Sequence, residues 1–331
     1  MRGLLIAILV AAAAWSGWWA WGWRSQTQAT GAWLEARAAD GWEVEVADWG
    51  VRGFPNRFDL TLEGVALTDP RAGLGWRADR LHIARLSYNL NHRIVTFPAT
   101  QTLIWPEGRA RLDSDRMRAS LVTAGDAAQT LGRLTLVADV LNISGDAGAA
   151  ALARMQLSMR QVADAPEAYD MALTADGFAP RLPRIADATG DALPATFDRL
   201  ALRGTVSFDR AWDAGSLTGP RPQPVAIDLD QGEAAWGPLT LKATGRLDVD
   251  TLGRLDGELA LQARNWREML ARARASGQVP GPVMTGLEQG LTVLARLNGS
   301  DETLDITLQF DRGRVSAGPL PLGEAPRLAL P

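Results

Sequence analysis

The 331-residue chain holds two histidines, His82 and His92, and no cysteine. A histidine acts as a base or metal ligand when a carboxylate or second ligand stands at a recognisable spacing. Neither has one. His82 and His92 lie in strand-like stretches and read as strand-face residues. H-E-x-x-H, G-x-S-x-G, a P-loop and a G-x-G-x-x-G fingerprint are all missing. Asp228, Asp230 and Glu233 in IDLDQGE echo calcium-loop spacing, but the match to a twelve-residue loop fails, and a solvated strand face accounts for them. Asp113 and Asp115 in LDSDR read as a turn. Asn142 and Asn298 open N-x-S triplets, which matter only in a eukaryotic secretory route. The sequence thus assigns no catalytic residue, no metal site and no cofactor. It predicts a protein that is not an enzyme.

Thirty-four basic residues face thirty-eight acidic ones, a net charge of -4. That balance offers no footprint for nucleic acid. Lys242 is the sole lysine. The absence of cysteine excludes disulfides and thiolate metal sites, and it suits an oxidising compartment.

Residues 3–23, GLLIAILVAAAAWSGWWAWGW, carry no charge. Roughly 20 apolar residues suffice to cross a bilayer as a helix. Trp15, Trp18, Trp19, Trp21 and Trp23 crowd the C-terminal end, where indoles favour the membrane interface. A cleaved signal peptide has a shorter apolar core and ends in small residues. Here Ala11–Ala14 leads into tryptophans, so the expectation is an uncleaved anchor over residues 1–24. Arg2 is balanced by Arg24 and Arg37, so charge alone does not orient it. The body is expected outside the cytoplasm, because the segment opens like a signal anchor and cysteine is absent.

Residues 25–41 read as a helical stalk, with Ala32–Ala39 helical and Gly41 as its stop. Period-two alternation then takes over. Phe58, Leu60 and Leu62 point one way while Arg57, Asp59, Thr61 and Glu63 point the other. After Gly64 the apolar set shifts to Val65 and Leu67, so Gly64 reads as a bulge or kink. Met155, Leu157 and Met159 alternate, as do Tyr169, Met171 and Leu173. Residues 239–263 form the clearest hairpin, with Leu239, Leu241, Leu247 and Val249 on one arm and Leu255, Leu259 and Leu261 on the other. Asn265 caps a first late helix, with Glu268 completing a near capping box, and a second helix is expected over about 282–297.

The expected fold is mainly β with a few helices, a β-rich α+β body of antiparallel curved sheet or sheets, groove- or half-barrel-like, after one transmembrane helix. The body spans 42–331 and is read as two sub-units meeting near 180–222. Alternating apolar residues suit a closed core and an open groove equally. Phe58, Leu60, Leu62, Leu239, Leu241, Leu259 and Leu261 are the candidates for groove lining. The scattered Trp42, Trp49, Trp76, Trp105, Trp212, Trp236 and Trp266 read as packing residues rather than sugar platforms.

Gly53-Phe54-Pro55 followed by Phe58, and the closing Gly318-Pro319-Leu320-Pro321-Leu322-Gly323, resemble the motifs of the domain of unknown function 2125 family of bacterial envelope proteins. Nearly the whole chain takes part in the likeness. These are turn-and-strand motifs without known chemistry, so no functional residue is carried over. Residues 236–261, WGPLTLKATGRLDVDTLGRLDGELAL, are similar to the C-terminal part of AsmA-like proteins. Those are inner-membrane proteins implicated in moving lipid along apolar β-grooves. The resemblances imply a bacterial inner-membrane protein with a periplasmic body. Its partners would be membrane lipid at the anchor and phospholipid in a groove, or other envelope proteins recruited through sheet edges.

Overall fold

The computed structural model describes every residue except 147, 181–195, 218, 269, 272–289, 293–302 and 331. Its first element, α1, runs unbroken from Arg2 to Ala39. The segments read as anchor and stalk are therefore one helix of 38 residues, about 57 Å at 1.5 Å per residue. The polar half stays helical because it is rich in alanine and has no proline. Thr27 and Thr30 turn their hydroxyls onto the carbonyls of Trp23 and Gln26. An Arg37–Asp40 ion pair at 2.9 Å closes the last turn, and Gly41 follows at φ +88°.

The described chain divides into two compact units: Met1–Gly125 with Leu134–Gly148, and Asp126–Arg133 with Ala149–Pro331. The first holds α1, then β1 (Glu43–Arg52), β2 (Arg57–Asp69), β3 (Leu74–Leu86), β4 (Asn89–Thr96), β5 (Thr100–Trp105), β6 (Gly108–Asp113), β7 (Arg116–Thr123) and most of β8 (Leu131–Gly145). The pairings β1–β2, β2–β3, β3–β4, β3–β5, β4–β7, β5–β6 and β6–β8 are all antiparallel. Val51, Phe58, Leu60, Leu62 and Val65 form the core of this unit, flanked by Trp19, Trp49 and Ile83.

Gly64 proves a kink and not a bulge. The β1–β2 and β2–β3 registers run through without a slip, yet the buried set passes from Leu62 to Val65. Gly64 takes the left-handed φ of +60°, which flips the strand's faces in place. Its neighbours switch at the same level, from Trp49 to Val46 in β1 and from Leu81 to Ala78 in β3.

The second unit holds β9 (Gly148–Val162), β10 (Ala165–Pro180), β11 (Phe197–Phe208), β12 (Pro224–Trp236), β13 (Leu239–Val249), β14 (Leu255–Arg264), β15 (Thr303–Asp311), β16 (Arg314–Ala317) and β17 (Leu320–Glu324). From β9 to β17 each strand pairs antiparallel with the next. Of the stretch near 180–222, β11 pairs with β10 and with β12 in this unit, while residues 181–195 and 218 lie outside the described residues. The 239–263 hairpin forms as read. Its turn is held by Asp250, which accepts backbone N–H bonds from Leu252 and Arg254 at 2.9 Å. The closing Gly-Pro motif is the last hairpin turn, between β16 and β17. Asn265 does not cap: it adopts φ +58° and donates its amide to the Pro238 carbonyl at 2.6 Å. Residues 266–268 begin a helix and 290–292 are helical; the rest of the two late helices lies outside the described residues.

Candidate functional site

Two features carry the functional argument, one in each unit. The first is the seat of α1. Four indole N–H groups from the tryptophan cluster donate to backbone carbonyls of the sheet. Trp15 reaches Pro55 at 2.8 Å, Trp18 reaches Ser87 at 3.3 Å, Trp19 reaches Arg57 at 2.9 Å and Trp23 reaches Val51 at 3.0 Å. Spacings of three and four residues place the four indoles along one side of the helix. Pro55 lies in the Gly53-Phe54-Pro55 corner, whose Phe54–Pro55 peptide is cis, Val51 and Arg57 lie at the ends of β1 and β2 that flank it, and Ser87 lies in the β3–β4 turn. The cluster read as a belt for the membrane interface thus also fastens the helix to the sheet end.

Gly22 makes the close approach possible. It is the buried residue of α1, and a Cβ there would fall 3.0 Å from Phe58 Cε2 and nearer still to Cζ. Phe58 is 2% exposed. Trp19 stacks on its ring at 5.9 Å between centroids, and the Arg85 guanidinium lies 5.5 Å from its centroid. Burial above all, and then the neighbouring charge of Arg93, pushes the Arg85 pKa down to about 10. Phe58, Leu60 and Leu62, offered as groove lining, lie in the first unit's core under this helix.

The second feature is one face of the sheet in the second unit. Residues paired across antiparallel strands share a face, so the register can be read as rows. One row runs Leu157, Leu173, Leu202, Gly232, Ala243, Leu261, Ile306. The next runs Met159, Met171, Gly204, Leu229, Gly245, Leu259, Leu308, and a third contains Leu200, Leu241 and Ala263. These rows cross β9 to β15 without a polar side chain, about 29 Å at 4.8 Å per strand. The other face is charged. A row there runs Arg160, Asp170, Thr205, Asp228, Arg246, Glu258, Gln309. It is laced by Arg160–Asp170 at 3.2 Å and Arg246–Asp228 at 2.9 Å.

The candidates Leu241, Leu259 and Leu261 lie on this apolar face, and Leu239 two residues before Leu241 shares it. Leu239 is buried. Leu241 packs beside the cluster of Ala263, Trp266, Leu291 and Leu304, and Leu259 beside that of Leu247, Val249, Leu255 and Phe310. Between those clusters the face is half-buried, and Leu202 is 50% exposed. The seven candidates therefore divide between the units, three in one core and four on the second unit's face. Leu202, Leu157 and Leu173 belong with the latter four. Strand alternation signalled them, but only the register shows that they align.

Among the described residues, those able to do chemistry do not converge. His92 shares a 2.9 Å hydrogen bond with Ser120. His82 lines a polar cleft of about 660 Å³ with Glu63 and Arg80, which pair with each other at 2.9 Å. Asp228 is taken up by Arg246. Asp113 accepts from Arg111 and from Thr100, which holds its carboxyl below the usual range. Among the described residues no group of three His, Asp or Glu side chains is arranged to hold a metal ion.

Helix and sheet together define a β-rich protein with one N-terminal helix long and apolar enough to cross a membrane. The chain belongs to a family of uncharacterized proteins conserved in bacteria (DUF2125), which it matches over residues 18–326. That span takes in Trp18, Trp19, Trp21 and Trp23 of the tryptophan cluster, the Gly-Phe-Pro corner and the terminal hairpin. Neither a curated protein nor a solved structure matches the chain.

Proposed function

We propose that this is a non-enzymatic protein of the bacterial inner membrane, held by α1 with its body in the periplasm, that binds phospholipid acyl chains along the apolar face of β9–β15. The observation that carries the reading is that face. Its rows run unbroken by polar groups over about 29 Å, and its middle is only half-buried. Half of a hydrocarbon core about 30 Å thick, the length of one acyl chain, fits along it. A helix fit for the bilayer, in the same chain, supplies the source of such chains. The AsmA-like stretch, residues 236–261, contributes β13 and part of β14 to this face.

The test is mass spectrometry of the full chain released from membranes in mild detergent. Bound phospholipid is expected, and Leu202→Asp or Leu259→Asp should deplete it. Thr244→Asp, on the polar face, should not. A lipid-free, folded protein would overturn the proposal and favour a module that recruits other envelope proteins through its strand edges.

A further inference from the structure

We infer that the sheet end of the first unit is itself seated in the membrane interface, so that the β1–β2 and β3–β4 turns touch lipid together with α1. The inference rests on the anchor reading and goes beyond it. Because Trp15 is already bonded to Pro55, the helix stands clear of the sheet only from Gly3 to Ala14. Twelve residues cover about 18 Å, well short of a hydrocarbon core about 30 Å thick. The span reaches that thickness only by including Trp15–Trp23, the stretch that lies along the turns. A helix in place across the bilayer therefore brings the turns to its surface and their tips, at Pro55 and Ser87, into lipid.

The turns are built for that position. Phe54 is 58% exposed and Tyr88 66% exposed, beside Trp18 and Trp21 at 43% and 60%. Tyr88, Trp18 and Trp21 join apolar bodies to polar tips, which favours the headgroup level, and Phe54 sets a wholly apolar ring against Trp19. Backbone carbonyls near hydrocarbon need partners inside the protein, and four at this end have them from α1. Val51, Pro55, Arg57 and Ser87 each receive an indole N–H. An interfacial belt alone would leave those N–H groups to water. Here they close the carbonyls of the sheet end instead.

A chain without cysteine allows single labels. The full-length protein, with an environment-sensitive fluorophore on one introduced cysteine, is placed in phosphatidylglycerol–phosphatidylethanolamine vesicles containing nitroxide lipid. Ile6→Cys reports the helix, and Phe54→Cys and Tyr88→Cys report the turns. Asn89→Cys repeats the reading without removing an aromatic. Arg71→Cys, at the opposite end of β2, is the dry control. Positions 6, 54, 88 and 89 should lose most of their emission and position 71 little. Quenching at 6 with none at 54, 88 and 89 would overturn the inference and leave the anchor standing. No quenching at 6 would remove the anchor and the inference together.

Discussion

Adding one methyl group at Gly22 and one at Gly17 should have opposite effects, although both glycines lie in the same helix. At Gly17 nothing lies within 4 Å of the added Cβ. Alanine there gains the intrinsic helix preference over glycine, about 0.8–1 kcal/mol. Gly22→Ala gains the same preference but drives the methyl into Phe58, whose ring cannot swing away because Trp19 and Arg85 hold it from other sides. Overpacking of this kind costs about 1–3 kcal/mol. The propensity gain cancels between the two variants, so their stabilities should differ by that overpacking alone. Denaturant unfolding of the full chain in mild detergent, followed by circular dichroism, reads the difference. Phe58→Leu combined with Gly22→Ala should recover part of the loss. Equal stability of the two alanine variants would mean that α1 does not close on Phe58, and the docked-helix description would fall.

Trp23→Phe keeps an aromatic ring, though a smaller one, and removes the donor to Val51, so it should lower stability by at least the bond's share of about 0.5–1.5 kcal/mol in the same unfolding assay. Gly64→Ala must hold a left-handed φ and meets Ala47 Cβ at 2.9 Å, so it should destabilise, with partial recovery in an Ala47→Gly background. Arg85→Met should stabilise the first unit at neutral pH. A base whose pKa falls on folding is charged at a penalty below its folded pKa of about 10, and that penalty fades as pH rises from there toward its unfolded value. Melts at neutral pH and above pH 10 should show the Met advantage shrinking; a constant advantage would assign it to packing instead.

The strand-rich body was legible because strict alternation leaves few other folds. Met155, Leu157 and Met159 or Leu259 and Leu261 can each bury only one face. The hairpin at 239–263 was equally plain. What alternation cannot supply is register, and register decides what shares a face. Phe58 and Leu259 carry the same pattern, yet one is core under a helix and the other lies on an apolar sheet face. The tryptophans show a second limit. Their type and crowding pointed to a membrane interface, but an indole N–H bonded to a carbonyl leaves no mark in the sequence. Gly22, between Trp21 and Trp23, was the available hint of a close approach, since a glycine lowers helix propensity and needs a reason. Arg85, in step with Leu81 and Ile83, was a second: a cation on an apolar face.

The central claim is that acyl chains lie along β9–β15. A phospholipid with a photoreactive group in its acyl chain, crosslinked to the full chain in membranes and mapped by peptide mass spectrometry, tests it most directly. The account predicts adducts on the apolar rows, at Leu157, Leu173, Leu202, Leu259 and Leu261, and none on Thr205, Arg246 or Thr307 of the opposite face. Adducts confined to α1 and the turns of the first unit would contradict it.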